Sequence, residues 1–287
     1  MTQPSPAMER MNEAEVENIE IDLLLDAVVR KYGYDFRGYS RASVKRRIMV
    51  VLRETRIERI PDLIHLVLTD SSVFETMLRA LSINVTEMFR DASFFLAVRK
   101  TVIPYLKNHD SITIWHAGCA TGEEVYSMAI LLKEAGLQKR CRIYATDINA
   151  AVLNSAKDGI YPLDRMKEFT TNYQRAGGEH SFGDYYSAKY GSAIMDQSLK
   201  AKMTFAQHNL ALDKVFGEMD MIVCRNVLIY FNKELQDRVL GLFADSLEPG
   251  GILCLGSKES LAFSSRRTDF EVMVERGRIY RKCQGGA

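Results

Sequence analysis

The sequence predicts an α/β protein: a small N-terminal all-α domain, then a doubly wound α/β domain with an inserted small β subdomain. Three observations carry this. Residues 19–88 show only helical periodicity. From residue 89 short apolar strands alternate with amphipathic helices, the pattern of a mostly parallel sheet covered on both faces. Between Tyr161 and Phe205 the alternation stops, and a polar, turn-rich segment holds Tyr173, Phe182, Tyr185, Tyr186 and Tyr190 without helical period, too long to be a structureless loop.

Residues 1–18 carry Glu9, Glu13, Glu15 and Glu17 against Arg10, with almost no bulky apolar side chains, and are expected to form a flexible acidic tail. Ile21, Leu24, Leu25 and Val28 then make an amphipathic stripe ending near Gly33. A second helix covers about Ser43 to Thr55, Pro61 opens a third, and Ser72 with Glu75 forms a capping box for a fourth. In the α/β part, Ile112 to Trp115 is a strand running into Gly118 and Gly122, followed by a helix. A strand from Arg142 to Thr146 ends on Asp147, one from Met219 to Cys224 ends on Arg225 and Asn226, and Ile252 to Leu255 is another.

Composition excludes several classes. With 38 basic and 37 acidic side chains the net charge is +1, so nothing in the overall balance favours nucleic acid. The longest apolar run, Met221 to Phe231, is broken by Arg225 and Asn226 and falls short of the roughly 18 residues of a membrane helix. Five widely spaced cysteines and five histidines, with no Cys-x-x-Cys or His-x-x-x-His spacing, suit a reduced, metal-free, cytoplasmic protein.

Ligands of open α/β sheets bind beyond the carboxyl ends of the strands. The turn His116-Ala117-Gly118-Cys119-Ala120-Thr121-Gly122-Glu123-Glu124 lets backbone approach a ligand, lacks both the Gly-x-Gly-x-x-Gly and the P-loop lysine, and puts two acids where a pyrophosphate would be repelled. Asp147, 25 residues beyond Gly122, is placed to accept hydrogen bonds from a ribose diol, or else to cap the next helix. Asn84 to Arg90 brings an amide, a hydroxyl and a guanidinium together, and Cys224 to Phe231 stands at the end of another strand; singly, Asn84 or Thr86 also suits a helix cap and Tyr230 a core position.

Taken in order, N-V-T-E-M-F-R, A-G-C-A-T-G-E-E-V-Y-S, A-T-D-I, A-Q-H-N-L and C-R-N-V-L-I-Y-F resemble the CheR family of chemotaxis receptor methyltransferases over about residues 19–283. The resemblance implies a Rossmann-like S-adenosylmethionine-dependent methyltransferase domain over residues 89–287. It also implies methyl transfer to receptor glutamates, with S-adenosylhomocysteine as product. It places Asn84, Thr86, Arg90, Glu124, Asp147, Asn209, Leu210, Asn226 and Val227 around the cofactor, with Arg90, Tyr230 and Asp147 closest to the chemistry; which of Glu123 and Glu124 faces the ligand is left open. Residues 21–60 hold ten basic side chains against five acidic ones, a local balance of +5. The resemblance assigns this basic helix, with Arg41, Lys45, Arg46, Arg53 and Arg56, to acidic receptor helices, and allows a receptor C-terminal peptide at the β subdomain. A stand-alone monomer is expected. A non-catalytic cofactor-binding signalling module and a nucleic-acid methyltransferase are the competing readings. The second lacks support, because Val227-Leu228-Ile229 stands where a Pro-Pro-aromatic segment would be expected.

Overall fold

The computed structural model describes residues 11–82 and 84–284. They divide into two compact units between Leu81 and Ser82, earlier than the boundary at residue 88 expected from the sequence.

The first unit is all helical. Helix α1 (Glu13–Tyr32) opens with a capping box in which Asn12 accepts from the Glu15 N–H and Glu15 from the Asn12 N–H. The stretch expected to be a flexible tail is thus helical from Glu13 onward, its glutamates favoured by the positive end of the helix dipole; residues 1–10 lie outside the described residues. Ile21, Leu24, Leu25 and Val28 are buried, and Gly33 ends the helix at φ 76°. Helix α2 (Arg41–Thr55) buries Val44, Ile48, Val51 and Leu52, and α3 (Ile60–Thr69) has Pro61 in its first turn. Helix α4 (Ser71–Ser82) starts on Asp70, whose Oδ1 accepts from the Ser72 N–H and hydroxyl, both at 2.8 Å, in place of the expected Ser72–Glu75 box. The Tyr32 ring stacks on Phe74 at 3.6 Å and its hydroxyl donates to the Val67 carbonyl, tying α1 to α3 and α4.

The basic helix α2 is not uniform. Arg41 pairs with Asp22 at 2.6 Å and Lys45 with Glu17 at 2.5 Å, so two of the five basic side chains named for receptor contact are engaged by α1. Arg46, Arg53 and Arg56 are exposed, on the same side as Met49.

The second unit begins with α5 (Ala92–Ala97) and α6 (Ile103–Leu106), joined by a single wide π turn, Val98–Val102, next to Pro104, which has no N–H to continue an α-helix. The alternation follows: β1 (Ile112–Ala117), α7 (Glu123–Glu134), β2 (Cys141–Asp147) and α8 (Ala150–Asp158). The insertion comprises β3 (Ile160–Pro162), α9 (Met166–Arg175), β4 (Tyr186–Lys189) and β5 (Ser192–Met195), its strands paired β3-β5-β4. It therefore contains a helix the sequence reading missed, with Met166, Phe169 and Tyr173 buried at i, i+3 and i+7. It also ends before Phe205, which lies in β6 (Met203–Gln207) of the main sheet. Then come β7 (Met219–Cys224), α10 (Lys233–Ser246), β8 (Leu247–Leu255), β9 (Phe270–Val274) and β10 (Ile279–Lys282).

The main sheet has seven strands in the order β6-β2-β1-β7-β8-β10-β9. The first five are parallel, and β10 and β9 close it as an antiparallel hairpin. Strands β1 and β7 at its centre are nearly continuous apolar runs because both faces are covered. No helix among the described residues is long and apolar enough to cross a membrane.

Candidate active site

Strand order reverses between β1 and β7, and the carboxyl ends of β6, β2, β1 and β7 lie side by side, with Asp147 opposite Gln207, Ala117 opposite Thr146 and His116 opposite Val223. Such a switch point is where an open α/β sheet binds its ligand. The turn after β1 needs three left-handed residues: Gly118 (φ 78°), Ala120 (φ 48°) and Gly122 (φ 91°). A Cβ on Gly118 would lie 2.5 Å from Val227 Cγ2, so this glycine lets the turns after β1 and β7 meet. Ala120 has no such freedom, and its N–H is held at 2.9 Å by Asp147 Oδ2.

Asp147 is buried at the end of β2. Its Oδ1 accepts from the Asn149 N–H at 3.0 Å, while the cap of α8 is Asn149 itself, whose side chain accepts from Ala151. The capping role open to Asp147 thus belongs to its neighbour. Burial raises the Asp147 carboxyl above its ordinary value, opposed by N–H bonds from Asn149, Ala120 and Ile148. These three N–H donors leave one of the carboxylate's roughly four lone-pair sites for a further donor. Asn84 and Asn149 both donate to the Ser82 hydroxyl, at 3.2 and 3.0 Å, which links Asn84 to the Asp147 turn. Asn84 Oδ1 is buried with no partner among the described residues. On the other side the His208 N–H reaches the Asp147 carbonyl, followed by Asn209, which accepts from Ala211, and buried Leu210.

Arg90 sits between two left-handed residues, Phe89 (φ 53°) and Asp91 (φ 56°). Strain of this kind persists only where the surroundings impose it. Phe89 supplies that constraint: it is fully buried, meets Phe95 and Tyr173 edge-on, and its N–H donates to the Ser127 hydroxyl at 2.9 Å. The Arg90 guanidinium donates to the Val85 carbonyl at 3.0 Å, and the Thr86 carbonyl is taken by Arg165.

Arg225, at the end of β7, ties these pieces together. Its side chain is 1% exposed and pairs with Glu124 and Asp91, both at 2.7 Å. It also reaches the Arg90 carbonyl at 3.4 Å and lies 3.9 Å over the Phe94 ring. The two adjacent acids thereby separate. Burial would raise Glu124, but Arg225 and His116 overcome it and hold its carboxyl below the ordinary range. Glu123 turns to Thr121 and Arg165, and burial leaves its carboxyl raised. Beyond Arg225, Asn226 is left-handed (φ 62°), and its N–H with those of Val227, Leu228 and Gly256 converges on buried Glu259. Tyr230 ends the 3-10 turn Leu228–Tyr230, half-buried, its hydroxyl without a hydrogen bond among the described residues.

The structure thus links Asn84 to Asp147, Asp147 to the β1 turn, and the Arg90 backbone to Glu124 through Arg225; Tyr230 joins them only through the turn it ends. Sequence reasoning gave no role to Arg225, Glu259 or His116. The available signal was Arg225 itself, a cation inside an apolar strand-end run, which burial obliges to be paired.

A glycine turn packed against a second strand end, a buried acid with an acceptor site still open beyond β2 and an orphaned amide oxygen fit a nucleoside-bearing cofactor. Residues 84–278 match the family described as CheR methyltransferase, SAM binding domain, and fold and site together define an S-adenosylmethionine-dependent methyltransferase. Residues 19–82 match the all-alpha domain of the same family. The chain belongs to the CheR methyltransferases. It is 55% identical over 265 residues to a Pseudomonas putida protein named Cher3 and provisionally assigned as a methyltransferase, covering 92% of this chain and 97% of that one. It is 31% identical to the chemotaxis protein methyltransferase of Listeria innocua, covering 82% and 87% of the two chains. The Klebsiella aerogenes chemotaxis protein methyltransferase is also 31% identical, with 83% and 82% covered.

Proposed function

We propose that this enzyme methylates glutamate side chains of chemoreceptor cytoplasmic helices, giving glutamate methyl esters and S-adenosylhomocysteine, as a cytoplasmic step of receptor adaptation. The carrying observation is the rigid seat of Arg90, between two left-handed residues and beside buried Arg225, next to a turn that ends in an uncommitted Tyr230 hydroxyl.

When bound, the cofactor supplies a methyl on a positively charged sulfur, which the glutamate carboxylate attacks in line while the carbon–sulfur electron pair leaves with sulfur. A glutamate, with an unperturbed pKa of about 4.3, is already ionised at neutral pH, so no side chain here has to remove a proton. The protein's share is orientation and exclusion of water. In this reading Arg90 fixes a carboxylate and Tyr230 donates to the attacking group. Asp147 accepts from the ribose. Asn84, Thr86, Glu124, Asn209, Leu210, Asn226 and Val227 complete the cofactor's surroundings, Glu124 acting from its pair with Arg225.

Receptor docking falls to the exposed face of α2 with Arg46, Arg53 and Arg56, since Arg41 and Lys45 are engaged by α1. The outer strands β3 and β4 of the small sheet offer unpaired edges to which a receptor C-terminal peptide would add as a strand. Incubation with methyl-labelled S-adenosylmethionine and chemoreceptor cytoplasmic fragments, followed by mild alkali, tests the reaction. Volatile labelled methanol is expected; label resistant to alkali, or none on any receptor, would overturn the glutamate assignment.

A further inference from the structure

The turn after β7 is built around an internal anion. Glu259, 4% exposed, lies in the segment following β8, and its two oxygens take four backbone N–H groups. Oε1 accepts from Val227 at 2.9 Å and Leu228 at 2.8 Å, and Oε2 from Asn226 at 3.1 Å and Gly256 at 2.5 Å. Three of these donors are consecutive, and left-handed Asn226 followed by right-handed Val227 points them the same way, the geometry of an anion-binding nest. Elsewhere such a nest holds a phosphate; here a carboxylate of the same chain fills it. The fit is close, because a Cβ on Gly256 would lie 2.7 Å from Glu259 Oε2 and 2.8 Å from the Asn226 nitrogen.

We propose that Glu259 is a positioning residue for methyl transfer: by occupying this nest it fixes the turn that carries Asn226, Val227 and Tyr230 to the cofactor. The inference rests on the placement of those three residues in the reading above. The carboxylate touches neither cofactor nor acceptor and acts only through the backbone it holds. Without it, four N–H groups at a buried strand end lose their acceptor, and left-handed Asn226 loses the contact that imposes its conformation.

The test compares Glu259→Gln with Asp237→Ala. The glutamine keeps the shape but turns an NH2 toward two of the four donors. Asp237 Oδ1 anchors the same segment further along, accepting from the Ser264 hydroxyl and from the Ser265 N–H and hydroxyl, without touching the turn. Binding of S-adenosylmethionine by calorimetry, turnover at saturating cofactor and thermal midpoint are measured for both. Glu259→Gln is expected to weaken cofactor binding on the order of tenfold and to lower turnover on the order of a hundredfold, while Asp237→Ala, which loosens the same segment away from the turn, stays within about twofold of the parent in both. Gly256→Ala strikes the same contact from its other side and is expected to repeat the Glu259→Gln signature, so failure of one variant to fold leaves the test intact. Equal affinity changes in Glu259→Gln and Asp237→Ala, or parent-like affinity in Glu259→Gln, would overturn the proposal. Absence of receptor labelling by the parent enzyme would instead count against the receptor reading, and the affinities would still decide this one.

Discussion

Arg225 and the pair Arg46 and Arg53 carry the same guanidinium and do opposite things. Arg225 is 1% exposed, shares two carboxylates and lies over an aromatic ring, so its charge has become a constraint on where the β7 end, α7 and the Arg90 segment sit. Arg46 and Arg53 stand exposed on α2 with no ion-pair partner among the described residues, so their charge adds little to stability and remains available to another molecule. Burial converts a charge into geometry, and exposure leaves it as a field. The cofactor side of this protein uses the first and, in our reading, the receptor side uses the second.

The largest effect expected from this contrast is at Arg225. Arg225→Met keeps much of the packing on Phe94 but leaves Glu124 without its cation, and removal of one partner from a buried pair costs about 3–5 kcal/mol. Urea unfolding checks it; a loss below about 1 kcal/mol would show that the cluster constrains nothing. Next comes Arg90→Ala, which should lower turnover on the order of a hundredfold through lost orientation, with cofactor affinity much less changed; near-normal turnover would remove Arg90 from the site. Asp147→Ala should weaken cofactor binding some tenfold or more, because hydrogen bonds to a charged acceptor contribute about 1.5–3 kcal/mol each. Unchanged affinity in calorimetry would refute the ribose role.

The same contrast explains what the sequence made legible. Helices α1 to α4 and the strands β1, β2 and β7 follow from apolar periodicity, which burial enforces locally. Helix α9 escaped because Met166, Phe169 and Tyr173 sit among glycines and tyrosines whose density reads as turns. Strand β6 and the β9–β10 hairpin escaped because these strands, at and next to the sheet edges, are short and half-polar. In the site, ordered motifs pointed to Asn84, Arg90, Asp147 and Tyr230. The partners that hold the site are set by long-range pairing, Arg225 with Asp91 and Glu259 with Asn226, 134 and 33 residues apart, and no local pattern records such pairing.

On the exposed side the effects shrink and become salt-dependent. Arg46→Glu with Arg53→Glu should raise the Michaelis constant for receptor several-fold at low salt and leave cofactor affinity and thermal midpoint near the parent's. The difference should fade as salt is raised through the range where the screening length drops below about 10 Å. A salt-independent rate in the parent would contradict docking by this face.

The smallest effect sharpens the buried half of the comparison by pH. Glu124 is held below its ordinary value of 4.5, so its pairing with Arg225 contributes stability that is complete above that value and is lost as pH falls through the lower folded one. Glu123, Asp147 and Glu259 run the other way: burial raises them, and their contribution is present at low pH and lost as pH rises. Those three are common to the parent and to Arg225→Met, so the difference between the two proteins isolates the carboxylates that Arg225 pairs, Glu124 and the more exposed Asp91. In the variant the unpaired carboxylate is penalised only while ionised, which narrows the gap further on acidification. The difference in thermal midpoint should therefore shrink steadily as pH falls from 8 toward 4. A gap that stayed constant or widened over that interval would mean that Arg225 holds the site through its stacking on Phe94 rather than through its charge.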